Sequence, residues 1–116
     1  MTEQRWLAEI KFVQENFPEF APFVTQSGVV GFAGTLKGRR RVYQVVIKVA
    51  ASSYPAIEPQ TYMDPKPEQH HWIPQDSTPI DKRHLCYKRD GGMWNPAKSS
   101  FANCILIAVR YIHAFD

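Results

Sequence analysis

Six of the nine prolines fall between Pro55 and Pro79. Proline has no N–H and a fixed φ, so neither a long helix nor an interior strand can run through such a stretch. Regular structure is confined to the residues before Tyr54 and after Pro96, with Thr61 to Met63 as one short strand between prolines. The chain is therefore expected to hold an irregular segment from Ser52 to Pro96 between two regular blocks. Irregular stretches of that length are uncommon inside compact domains and usually carry function. Trp72, Ile73, Leu85 and Trp94 give this one side chains to pack.

The first block opens with a helix over 3–17. Trp6, Leu7, Ile10, Val13 and Phe17 recur at three- and four-residue steps and form its apolar face. Thr2 is placed to cap it, Glu3 suits its positive end, and Pro18 ends it. Short strands follow at Phe23 to Thr25 and Val29 to Leu36, joined by a turn at Gln26-Ser27-Gly28. After Lys37-Gly38 the strand Val42 to Ala50 alternates Tyr43, Val45, Ile47 and Val49 with Gln44 and Lys48, one face dry and one wet. The closing block is a helix from about Phe101 to Phe115, capped by Ser99 or Ser100. Phe101, Ile105, Ala108 and Ile112 make its apolar stripe, broadened by Cys104, Leu106 and Val109. A helix followed by an antiparallel meander indicates an α+β class, and 116 residues without repeats indicate one domain over 1–116.

Composition narrows the function classes. No apolar run is long enough to span a bilayer, and Met1 to Glu9 has no signal-peptide core. The two cysteines, Cys86 and Cys104, are too few for a secreted disulfide scaffold, so both are expected reduced in a cytoplasm. A net charge of +3 gives little support to nucleic-acid binding, which needs a clustered basic face. The densest basic run is Lys37 with Arg39 to Arg41 at a hairpin turn, read as a solvated tip or a dock for an acidic partner.

From Tyr54 onward, specific residues accumulate. Tyr54-Pro55-Ala56-Ile57-Glu58-Pro59 resembles the Tyr-Pro-x-x-Pro-Pro turn of ubiquitin-conjugating enzymes, with Glu58 in place of one proline. His70 falls near the position of that family's His-Pro-Asn motif. Leu85-Cys86-Tyr87 is similar to the Ile-Cys-Leu around its active cysteine. Trp94-Asn95-Pro96-Ala97 is similar to its Trp-Ser-Pro-Ala, and the tryptophan stands eight residues after the cysteine, as in the family. The resemblance covers nearly the whole chain, its specific part being Tyr54 to Phe101. Three departures accompany it. His70-His71-Trp72 lacks the Pro-Asn, the segment from His70 to Cys86 is longer than usual, and one helix follows the cysteine where eukaryotic members add two more. A short divergent chain of this kind resembles the stand-alone conjugating-type proteins of bacterial antiviral operons.

Cys86 is the expected nucleophile. A thiolate attacks activated carbonyls, and nearby positive charge favours it. In an extended segment His84 and Lys88 share a side with Cys86, and Arg89 adds charge. The plain alternative is a small buried hydrophobe between Leu85 and Tyr87. Cys104, on the apolar stripe of the last helix, is expected in the core. His84 is either a general base or a solvated neighbour. His70 and His71 are read as loop-holding residues. A zinc site from His70, His71, His84 and Cys86 would consume the nucleophile and matches no strong ligand spacing. Asn95 is read as a turn former before the helix, or as the amide that replaces the missing oxyanion donor.

The resemblance implies a ubiquitin-conjugating-type fold in which Cys86 takes up the C-terminal acyl group of a partner protein as a thioester. An amine then receives it. No metal or organic cofactor is implied. The partners implied are a ubiquitin-like protein or a cGAS-like nucleotidyltransferase, with an adenylating activating enzyme where the C-terminus needs priming. Nucleic acid and membrane are not among them. A catalytically inactive binding module of the same fold is the alternative, favoured by the absent asparagine.

Overall fold

A computed structural model describes residues 1–65 and 94–116. Helix α1 spans Glu3–Asn16, and the Thr2 side chain accepts from the Arg5 N–H at its start. Strands β1 (Phe20–Val24), β2 (Val29–Lys37), β3 (Val42–Ala50) and β4 (Gln60–Asp64) follow, with a short 3-10 turn at Ala51–Ser53. Helix α2 spans Phe101–Phe115. The strands form one antiparallel sheet in the order β1-β2-β3-β4. The architecture is α+β.

Strand β1 begins three residues before the expected Phe23 and contains Pro22. Its place at the sheet edge explains the tolerance: β1 pairs with β2 on one side, so proline's missing donor leaves no ladder bond broken. The turn to β2 uses Gly28 at φ 87°, a left-handed conformation that side chains resist. Thr25 Oγ1 accepts from the Val29 N–H across it at 3.0 Å.

The period-two pattern of β3 is borne out. Tyr43, Val45, Ile47 and Val49 are buried, while Gln44, Lys48 and Ala50 face out. Burying such a side chain contributes about 1.5–3 kcal/mol. Both helices lie on that dry face. Trp6 of α1 packs 5.3 Å from Phe32 of β2 and 5.9 Å from Phe101 of α2, and Phe32 meets Phe101 at 5.1 Å, centroid to centroid. Phe101, Cys104, Ile105, Ala108, Tyr111 and Ile112 seal the α2 side of the core.

Two expected core residues stand outside. Leu7 is 56% exposed. A helix turns about 100° per residue, so Leu7 lies a quarter-turn off the stripe that Trp6, Ile10, Val13 and Phe17 align. Leu106 is exposed for the same reason, one position past Ile105. Among the described residues no helix is long and apolar enough to cross a membrane.

Candidate functional site

The site is built around a carboxylate on α1. Glu9, one turn before Val13, is only 8% exposed, and all its bonds run to charged or polar groups. Oε2 accepts from the Arg5 Nε at 3.0 Å and from the Tyr54 hydroxyl, while Oε1 accepts from the Phe101 N–H at 2.8 Å. Phe101 is the first residue of α2, whose leading N–H groups have no partner within the helix. A carboxylate there satisfies one of them and complements the positive helix end. The other cap is Ser100, in a reciprocal arrangement with Asn103.

Arg5 carries the same assembly outward. Its Nη2 donates to the Ser99 carbonyl at 2.8 Å and to the Tyr54 hydroxyl at 3.3 Å, and its Nη1 to the Pro96 carbonyl at 3.2 Å. Its guanidinium lies 5.0 Å from the centre of the Tyr54 ring. A planar fork with five donors suits this bridging of three segments. Tyr54 is fully buried, against Phe101 at 4.8 Å and Trp94 at 6.0 Å. The Trp94 indole N–H donates to the Pro55 carbonyl at 2.6 Å. The Tyr54-Pro55 and Trp94-to-Ser99 segments, far apart in sequence, are thus locked together through α1.

Burial, followed by the bond to Glu9, pushes the Tyr54 phenol far above its ordinary value of 10.0. The unfolded phenol then ionises first. Stability is fully held below pH 10 and lost as pH rises above it, by up to about 1.4 kcal/mol per pH unit for each such group. Tyr43 and Tyr62 are raised as well, both chiefly by burial. Tyr54→Phe is therefore expected to reduce, without abolishing, the fall in denaturation midpoint between pH 9 and 11. An unchanged slope would show that the phenol titrates alike in both states.

Asn95 forms the turn into α2. Its Oδ1 accepts from the Ala97 N–H at 3.0 Å, and its carbonyl accepts from Lys98 and Ser99. The side chain is exposed, and its Nδ2 has no partner among the described residues. The turn-forming geometry is present. Cys104 is 2% exposed in the core, as its place on the apolar stripe predicts. Cys86, His84, His70 and His71 lie outside the described residues. Among the described residues no cluster of His, Cys, Asp and Glu is arranged to hold a metal.

Beside the anchor, a groove of 340 Å³ runs between Ala8, Phe12 and Val13 of α1 and Lys98 to Ser100. The residues that sequence reasoning missed are Arg5, Glu9 and the Tyr54 hydroxyl. The available signal was the Arg5/Glu9 pair at four-residue spacing, flanking the apolar stripe of α1. Comparison with protein-family models, with curated proteins and with solved structures gives no match.

Proposed function

We propose that the protein is a cysteine-dependent conjugating enzyme of the ubiquitin-conjugating type, with Cys86 as the acyl carrier. The observation that carries the reading is the contact between its two most specific described motifs. Trp94 donates to Pro55 and packs on Tyr54, so Tyr54-Pro55 and Trp94-Asn95-Pro96-Ala97 form one structural unit. That unit supports a site that draws on both, with Cys86 on the chain between them. The order of helix, four-stranded meander and closing helix supports it too.

In the proposed reaction the Cys86 thiolate attacks the carbonyl carbon of a partner's activated C-terminus. A C–S bond forms, and the activating group leaves with its electron pair. An amine nitrogen then attacks the thioester carbon. The C–N bond forms, the C–S bond breaks, the thiolate leaves, and the amine proton passes to His84. Asn95 is the described amide that would donate to the oxyanion between these steps. The thioester stores the activation, so the transfer itself uses no metal or organic cofactor. The setting that fits is a bacterial cytoplasm, in an antiviral operon with a ubiquitin-like protein or a cGAS-like nucleotidyltransferase as acyl donor and an adenylating enzyme where priming is needed.

The test is the chemistry of the bond. Mixed with its activated partner, the protein is expected to form an adduct cleaved by neutral hydroxylamine. Thioesters are cut by hydroxylamine, whereas disulfides are cut by reductant alone. An adduct that survives hydroxylamine sinks the thioester mechanism, and a non-covalent complex alone favours the inactive binding module.

A further inference from the structure

At the opposite end of α2, the β2–β3 hairpin and the last helical turn enclose a pocket of 470 Å³ lined by Lys37, Gly38, Arg39, Ile112 and His113. Pockets of this size accept small molecules. Three of its five lining residues carry N–H donors on cationic or imidazole side chains, and none of the three makes an ion pair among the described residues. The Asp116 side-chain carboxylate beside the hairpin is already committed. It accepts from the Tyr43 hydroxyl and from the Arg40 N–H at 2.7 Å, and it is 8% exposed. Gly38 permits this, since a Cβ there would collide with the Asp116 carboxylate and the Tyr43 ring. The hairpin thus folds over the Asp116 carboxylate, and Lys37 and Arg39 line the cavity.

We propose that this pocket binds a soluble, phosphate-bearing small molecule. Lys and Arg are the usual side-chain partners of phosphate, Arg as a two-pronged donor and Lys as a point charge. The C-terminal end of α2 and the Asp116 carboxylate together oppose an anion with roughly one and a half elementary charges, fewer than the full charges of Lys37 and of Arg39 to Arg41 on the hairpin. His113 adds an imidazole N–H whatever its protonation state. The pocket is concave and joins two elements, which suits a compact polyanion better than an extended acidic peptide. This site is independent of the conjugating reaction.

The whole chain is titrated with inorganic phosphate and with tripolyphosphate, at ionic strength held constant with chloride. Saturable binding is expected, tighter for tripolyphosphate, with amide shifts centred on 37–41 and 110–113. Replacing both cations (Lys37→Gln with Arg39→Gln) is expected to weaken binding at least about tenfold, since each removes a charge-assisted bond. Lys11→Gln on α1 should leave it unchanged. Both replaced positions are exposed, so the melting temperature should be kept and checks the fold. Absence of saturation, an equal loss with Lys11→Gln, or tighter binding of an oligoglutamate peptide than of tripolyphosphate overturns the proposal.

Discussion

Cys86→Ala is expected to abolish every thiol-linked adduct with the acyl-donating partner, because alanine offers no nucleophile. The effect is all-or-none, larger than any positioning change. Cys104→Ala is expected to charge like the wild type, since Cys104 is buried in the core. It should cost some stability through lost packing. Cys86→Ser should trap a hydroxyl ester that survives reductant, formed more slowly because oxygen is the poorer nucleophile at neutral pH. The readout is a non-reducing gel with and without reductant, together with intact mass. Persistence of the adduct in Cys86→Ala, or its loss in Cys104→Ala, would remove Cys86 from the mechanism. Native alkylation provides a partner-free check, in which Cys86 should react much faster than the sealed Cys104.

The second large effect belongs to Glu9. Glu9→Ala leaves the Tyr54 hydroxyl, the Phe101 N–H and the Arg5 guanidinium without their acceptor in a mostly buried place. Removing one partner of a buried ion pair costs about 3–5 kcal/mol. Because Arg5 is partly solvated, the lower part of that range is expected. Glu9→Gln keeps the shape and one acceptor, but turns an N–H2 toward groups that also donate, and should cost about 1–3 kcal/mol. Denaturant midpoints at neutral pH measure both. A loss below about 0.5 kcal/mol for Glu9→Ala would mean that water replaces the carboxylate without penalty.

How much of this was legible in the sequence depended on whether the signal was local. Strand β3 and helix α2 were read with their observed limits, since their apolar periods complete themselves within one element. Strand β1 was read late, because Pro22 argues against a strand until the pairing partner is known to lie on one side only. The three- and four-residue recurrence groups Leu7 with the stripe of α1, and Leu106 broadens that of α2, but the angular position on each helix decides otherwise. The expectation that Tyr54 and Trp94 belong to one functional region came from resemblance, and their contact is visible only in three dimensions. Glu9 could not be read as buried at all. A glutamate on a helix is ordinarily wet, and what makes it dry is Tyr54 and Phe101, residues that lie 45 and 92 positions away.

Those separations bear on how the molecule is made. The bonds that hold α1 to the sheet and to α2 are among the longest-range in the chain, reaching from Arg5 to Ser99 and from Glu9 to Phe101. Such distant pairings form slowly, because chain closure must precede any reward from contact. During synthesis the Glu9 carboxylate and the apolar face of Trp6 gain their partners in steps, from Phe32 and Tyr54 first and from Phe101 last. The β2–β3 hairpin can assemble meanwhile from neighbouring residues. The nascent chain is thus expected to expose a half-covered sheet to chaperones until α2 has emerged, and to gain protease resistance only when α2 docks.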